Sequence, residues 1–177
     1  MRRIAVFVAL TVSLVACSDA TTPPTGGGTT SSSPRADERR VGVYGSLITE
    51  LAGVEPIEWR HVYVVTGLCA NADEPMKPEG CDDQLSEAER TVLRERLDGM
   101  RLRFIDDPTS LYDDEWMQGP PRDVVLRLGP IVERAGEVRV GASYGCGGLC
   151  GGGTTYVLEE ADGSWSVVGQ RGGMWIA

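Results

Sequence analysis

The sequence has little positive charge, which argues against several classes of binding partner. Its 177 residues include 17 Lys and Arg against 26 Asp and Glu, for a formal net charge of -9. An acidic chain without a local run of basic residues repels phosphate backbones, so we predict no nucleic-acid binding. Anionic lipid surfaces would repel it as well, and membrane attachment would therefore have to be covalent.

Histidine and long apolar stretches are also scarce. His61 is the single histidine, and no serine or cysteine nucleophile accompanies it in a recognisable catalytic arrangement. The N-terminal apolar run covers residues 4–12 and is shorter than the roughly 20 residues that a helix needs to cross a bilayer. We predict no catalytic residues, no cofactor and no membrane-spanning helix, and we interpret His61 as a hydrogen-bonded residue at a strand end.

The N-terminus has the order of a bacterial export signal. Arg2 and Arg3 precede the apolar run, and Ala16 precedes Cys17 in a Leu-Val-Ala-Cys sequence. This sequence resembles the lipobox of bacterial lipoproteins, which implies cleavage of a signal peptide, residues 1–16, and acylation of Cys17 with palmitate-type chains. Two or three acyl chains anchor a protein firmly. We therefore predict lipid attachment at Cys17 and a location in the cell envelope, on the non-cytoplasmic side of a bacterial membrane. An ordinary secretory signal is the alternative.

Two regions follow the signal. Residues 17–36 are rich in Thr, Ser, Pro and Gly, a composition that buries too little apolar surface to offset the entropy of ordering. We predict that they form a disordered tether and that residues 37–177 form a single domain.

Patterning in residues 37–177 predicts an α+β fold. Apolar residues at helical spacing indicate a first helix, capped by Asp37 and ended by Gly53. Ser86 and Glu89 form a capping box that opens a second helix. We predict that the two helices pack on an antiparallel β-meander sheet of four to six strands. The meander takes four or five strands from residues 124–128, 138–144, 154–159, 165–168 and 174–176, and residues 61–68 and 101–105 also have strand patterning.

The four remaining cysteines are an even set in an exported chain, which favours disulfides. Three connectivities are possible, and we favour the local pairs Cys69–Cys81 and Cys146–Cys150. The three residues between Cys146 and Cys150 are typical of a hairpin tip, whose flanking positions face each other. Zinc binding and CXXC-type redox chemistry are weaker alternatives because the spacing fits neither.

Glycine is concentrated around the second cysteine pair, in residues 145–153. The segment connects two predicted strands, whereas a nucleotide-binding loop leads from a strand into a helix. We interpret the glycines as residues that permit positive φ in a tight hairpin, with close approach to a ligand or partner as the alternative. The predicted binding rim combines this hairpin with neighbouring tryptophans: Gly147, Gly148, Leu149, Trp165 and Trp175.

Acidic residues are concentrated between the second helix and the meander, at Asp106, Asp107, Asp113, Asp114 and Glu115. They could gather around a calcium ion, but they lack the order of an EF-hand loop. We interpret them as solvated loop charges and predict no metal site.

The C-terminal third contains a series of short motifs: Leu128-Gly-Pro-Ile131, Cys146-Gly-Gly-Leu-Cys-Gly151, Thr155-Tyr-Val-Leu158, Gly163-Ser-Trp165 and Met174-Trp-Ile176. This order resembles that of a group of uncharacterised bacterial envelope proteins, in which a Gly/Cys loop, a Tyr-x-Leu strand, a Gly-x-Trp turn and a terminal Trp-Ile follow one another. The resemblance implies a single α+β domain and no particular activity.

Two functional hypotheses follow from these patterns. The first is a membrane-anchored envelope lipoprotein with a non-catalytic domain that binds an envelope protein or a small ligand. The second is an exported hydrolase that uses the clustered aspartates, with or without a metal ion. A pocket that joins His61 to those aspartates would favour the hydrolase.

Overall fold

The computed structural model describes residues 34–53, 58–74, 79–112 and 122–176, with side chains from residue 37 onwards. The predicted signal peptide, Cys17 and most of the predicted tether lie outside the described residues. Among the described residues, no helix is both long and apolar enough to cross a membrane.

The described residues form two helices and one sheet of eight strands, so the fold is α+β, as predicted. The sheet exceeds the expected four to six strands because two of its strands have only two or three residues, too few to show a pattern. The elements are α1 Pro34–Ala52, β1 His61–Leu68, β2 Asp83–Gln84, α2 Glu87–Arg96, β3 Leu102–Ile105, β4 Asp123–Leu128, β5 Val132–Arg134, β6 Glu137–Gly147, β7 Cys150–Ala161 and β8 Ser164–Ile176.

The sheet is mostly antiparallel, but it is not purely a meander. Strands β4, β6, β7 and β8 are neighbours and antiparallel, as expected from their short connections. Strand β1 instead runs parallel to both β3 and β4. The connection from β1 through α2 returns the chain to the end of the sheet where β1 began, so β3 starts there and runs parallel to β1. The predicted strands 165–168 and 174–176 are parts of one strand, β8.

Helix α1 covers one face of the sheet. It begins at Pro34, inside the predicted tether and before the predicted cap Asp37, since proline is well tolerated in the first turn of a helix. Each aliphatic side chain that it buries fully contributes about 1.5–3 kcal/mol relative to exposure. Its apolar stripe is almost completely buried: Val43, Tyr44, Leu47, Ile48 and Leu51.

Helix α2 begins at the predicted capping box. The Glu89 amide donates to the Ser86 hydroxyl over 3.2 Å, and the Ser86 amide donates to the Glu89 carboxylate over 2.7 Å. Glu89 is buried and also accepts from the Arg40 guanidinium of α1, which donates to Asp83 of β2 as well. A buried carboxylate requires such partners, so this network fixes α2 against α1.

The opposite face of the sheet is covered by shorter segments. Tyr63, Val65 and Val125 form a small second core there, against Leu111 and Tyr112 at the end of a 3-10 turn. The turn after β1 also contacts β6 and β7. The helices therefore protect one face, and loops protect the other.

Candidate ligand-binding groove

A groove of about 990 Å³ lies between α1, the end of α2 and the hairpin that joins β7 to β8. This volume is at the upper end of the range of typical small-molecule sites. The groove is lined by Glu38, Arg39, Val41, Gly42, Gly45, Ser46, Thr49, Arg96, Leu97, Glu160, Gly163, Ser164 and Trp165.

The floor of the groove is a stripe of small residues on α1. Gly42, Gly45, Ser46 and Thr49 recur at helical spacing and leave room above the helix backbone. The Thr49 hydroxyl donates to the Gly45 carbonyl over 2.9 Å, so it is already engaged within the helix. The two glycines are unfavourable inside a helix by about 1 kcal/mol each relative to alanine. The close contact with Trp165 accounts for Gly42, whereas Gly45 lies on the groove floor without such a contact.

Trp165 forms the wall on the β8 side. Its ring lies directly against Gly42, where an added β-carbon would be 2.6 Å from the indole Cδ1. The Arg39 guanidinium lies 5.6 Å from the centroid of the same ring, a cation–π contact. Arg39 also forms an ion pair with Glu133, over 2.5 Å. The orientation of Trp165 is therefore fixed by two neighbours from α1.

Both signs of charge face the groove. Among the described residues, Glu38, Arg96 and Glu160 have no ion-pair partner, and all three are exposed. A smaller apolar recess of about 110 Å³ continues between the helices, where Val41 and Val92 are part of the lining. The groove thus offers an arginine, two carboxylates, an indole and an apolar recess within one surface.

The five residues of the predicted rim lie at two ends of the sheet and do not form one surface. Gly147, Gly148 and Leu149 form the tip of the β6–β7 hairpin, where Leu149 is 90% exposed. Trp175 lies at the same end, opposite Gly153 of β7. Trp165 pairs with Glu160 near the other end of β7 and belongs to the groove.

Both predicted disulfides are present. Cys69 pairs with Cys81 at a Cα–Cα distance of 4.0 Å, and Cys146 pairs with Cys150 at 5.1 Å. The second pair closes the hairpin tip, as the three-residue spacing predicts. In the part of the chain that the structure describes, no three His, Cys, Asp or Glu side chains are grouped as metal ligands.

The turn after β1, which contains Asp73, packs against the glycine-rich strands β6 and β7. The Asp73 carboxylate accepts from the Thr155 hydroxyl over 3.0 Å, and the Asp73 carbonyl accepts from the Trp175 indole. A β-carbon on Gly153 would lie 2.5 Å from that carbonyl, and one on Gly141 would lie 3.3 Å from the carboxylate. The sequence offered close approach to a ligand or partner as one interpretation of the glycines. In the structure, Gly153 and Gly141 permit the close approach of another segment of the same chain, the turn at Asp73. A sequence pattern could not identify Asp73 as that partner.

The described residues of the acidic stretch have local roles. The Asp106 carboxylate accepts from the Thr66 hydroxyl over 2.6 Å. The backbone N–H and hydroxyl of Thr109 donate to Asp107, and these bonds lower the pKa of Asp107. Asp113, Asp114 and Glu115 lie outside the described residues.

The carboxylate beside His61 is Asp123, which is not part of the acidic stretch. The imidazole Nδ1 lies 3.2 Å from an Asp123 oxygen, and Arg60 donates to the same carboxylate over 3.1 and 2.5 Å. Burial raises the pKa of Asp123, but the bonds and charge of Arg60, followed by those of His61, outweigh it, and the pKa lies below its ordinary value. His61 is thus a hydrogen-bonded residue at a strand start.

Comparisons with protein families, curated proteins and solved structures found no match to this chain. The groove itself was missed by sequence reasoning, which identified only Trp165 among its lining residues. The available signal was the recurrence of small residues along α1, but that pattern does not say which element covers them.

Proposed function

We propose that this chain is a bacterial envelope lipoprotein, anchored through Cys17, whose α+β domain binds a small zwitterionic ligand without chemical conversion. The proposed binding activity rests on the groove beside Trp165, whose lining contains Arg96, Glu38 and Glu160.

The anchor is supported by the sequence order at the N-terminus. A basic start, an apolar run, a small residue and a cysteine occur in the order of a lipobox signal. The groove lining begins at Glu38, near the start of α1, and only about 20 residues separate it from Cys17. Ligand binding would then take place close to the membrane surface.

The ligand class is supported by the groove chemistry. Arg96 can pair with a carboxylate, and Glu38 or Glu160 can pair with an amine. The apolar recess beside Val41 and Val92 has room for a small apolar group. A short peptide or an amino-acid derivative with an apolar side chain combines all three features.

Binding rather than conversion is supported by the separation of reactive groups. The groove contains the hydroxyls of Ser46 and Ser164, but the single histidine is not among its lining residues. His61 is held by Asp123 at the start of β1 instead. A hydroxyl nucleophile needs an adjacent base, which is commonly a histidine, and the described lining contains none.

The ligand proposal is tested by titrating the chain with short zwitterionic peptides while recording tryptophan fluorescence. We expect saturable binding that weakens about tenfold in Arg96→Gln or Glu160→Gln, since each variant removes one charged partner. Leu149→Ala, at the far hairpin tip, is the matched control. Equal affinity in all these variants, or no saturable signal with any peptide, would exclude the groove as this site.

The anchor is tested by membrane fractionation of cells that express the chain. Cys17→Ser should release the protein from membranes, and the wild-type chain should carry the added mass of its acyl groups. Retention of the Cys17→Ser variant in the membrane fraction would contradict the lipoprotein assignment.

A further inference from the structure

Four arginines from three separate segments lie at the end of the sheet where its parallel strands begin. The parallel strands β1, β3 and β4 all begin at this end, with Val62 opposite Leu102 and also opposite Val124. Arg60 and Arg122 directly precede β1 and β4, and their backbones are joined by a hydrogen bond of 2.6 Å. Arg101 directly precedes β3, and Arg103 is the second residue of that strand. We call Arg60, Arg101, Arg103 and Arg122 the arginine cluster.

The cluster brings four positive charges to one end of the sheet in a chain whose formal net charge is -9. Arg101, Arg103 and Arg122 are exposed and form no ion pair with any described residue, while the Arg103 guanidinium lies 5.9 Å from the Tyr63 ring centroid. The carboxylate in their midst, Asp123, is buried and already bonded to Arg60. Fields are screened within about 8 Å at physiological ionic strength, so an anion here responds mainly to the local arginines.

We propose that the arginine cluster binds a soluble phosphate group, as inorganic phosphate or a phosphomonoester. Guanidinium groups donate through a planar fork that fits phosphate oxygens, and Arg101, Arg103 and Arg122 supply three of them at the starts of β3 and β4, the two strands that flank β1. Asp123 acts as a positioning residue, since it holds Arg60 and the His61 ring at the base of the cluster. This site is separate from the groove and independent of the proposed peptide binding.

The position of the cluster favours a soluble phosphate over the headgroups of the anchoring membrane. Helix α1 has 19 residues, which corresponds to about 28 Å. Its last residue, Ala52, accepts a hydrogen bond of 2.8 Å from the Trp59 indole, just before the cluster begins. At the other end of the helix, the residues that precede Pro34 connect it to Cys17 in the sequence. The full length of α1 therefore lies between the cluster and the end of the predicted tether, at the start of this helix.

The experiment is an NMR titration of the isotope-labelled Cys17→Ser chain with inorganic phosphate, with vesicles of anionic phospholipid in a parallel sedimentation assay. We expect saturable shifts at Arg101, Arg103, Arg122 and His61, and binding weakened about tenfold or more in Arg101→Gln/Arg103→Gln. Arg134→Gln, which removes an exposed arginine on β5, should leave the affinity unchanged.

Three outcomes would overturn the proposal. The first is the absence of saturable phosphate binding by a folded chain. The second is equal weakening by Arg134→Gln, which would indicate a general response to charge. The third is vesicle binding through the cluster without binding of free phosphate, which would assign the site to lipid headgroups. The glutamine substitutions are made in the Cys17→Ser chain. Amide spectra that match the spectrum of the parent chain away from the substituted residues establish that these variants are folded.

Discussion

The indole of Trp165 rests on the backbone of Gly42, and this contact joins β8 to the middle of α1. An added β-carbon at Gly42 would lie 2.6 Å from Cδ1 and 3.2 Å from Nε1 of the ring. The glycine is therefore required by the neighbour that passes over it, although it weakens the helix. The same contact sets the wall of the groove.

Gly42→Ala should displace Trp165 and weaken peptide binding in the groove. The gain of about 1 kcal/mol in helix propensity would be offset by an overpacking cost of about 1–3 kcal/mol. We expect no net stabilisation, a shift in tryptophan fluorescence and reduced affinity, measured by thermal unfolding and by peptide titration.

Gly45→Ala is the matched control for this substitution. Its added β-carbon would meet only a Leu93 methyl, at the ordinary contact distance of 3.6 Å. This variant should gain up to about 1 kcal/mol in unfolding free energy from helix propensity. If Gly42→Ala were stabilised equally and bound peptide normally, the role assigned to the Trp165 contact would be incorrect.

Gly153→Ala should destabilise the contact between the turn at Asp73 and the sheet. The new methyl would lie 2.5 Å from the Asp73 carbonyl oxygen and 2.6 Å from the Trp175 Nε1. Both atoms are fixed by hydrogen bonding, so we expect a loss of about 1–3 kcal/mol in unfolding free energy. Gly169→Ala, with no atom within 4 Å of its added β-carbon, should change stability little. Similar unfolding midpoints for the two variants would contradict this account.

The two disulfides should differ in their effect on stability. Cys69 and Cys81 are 12 residues apart, whereas Cys146 and Cys150 are 4 apart. In the chain-entropy account the longer loop is worth about 3 kcal/mol and the shorter one about 2 kcal/mol. Denaturant unfolding of Cys69→Ser/Cys81→Ser and Cys146→Ser/Cys150→Ser should rank them in that order. Non-reducing peptide mapping checks the pairing, and free thiols at Cys146 and Cys150 would refute it.

Asp123 should make folding stability depend on acid pH. Its pKa in the folded chain lies below the ordinary value of about 3.9, so its stabilisation is fully present above that pH and is lost as the pH falls through the folded pKa. Asp123→Asn leaves Arg60 and His61 without their carboxylate, at a cost of about 1–3 kcal/mol near neutral pH. The difference from wild type in thermal unfolding should therefore shrink below about pH 4.

Asp162→Asn is the control for this pH dependence, because Asp162 is an exposed turn residue with positive φ, a conformation that asparagine adopts readily. It should leave the unfolding temperature close to that of wild type at every pH. A constant difference between Asp123→Asn and wild type from neutral to strongly acid pH would show that ionisation of Asp123 does not stabilise the fold.

Local signals in the sequence were sufficient for the elements and for the covalent links. The period-two segments became strands, the Ser86–Glu89 pair opened α2, and the favoured two of the possible cysteine pairings are the disulfides that form. Each of these features depends on residues within about a dozen positions of one another, so the pattern and the contact coincide. The short strands β2 and β5 were not predicted, because two or three residues are too few to show an alternating pattern.

The candidate sites depended on the tertiary structure. Trp165 and Gly42 are more than a hundred residues apart, and so are Asp73 and Trp175, so no local pattern links them. The parallel pairing of β1 with β3 and β4 gathers arginines that are dispersed in the sequence. The sequence by itself determined an acidic chain and predicted two local disulfides and a lipid-anchored N-terminus. Only the folding of distant segments against one another produced the groove and an arginine-rich end of the sheet, because each is built from side chains that long connections separate.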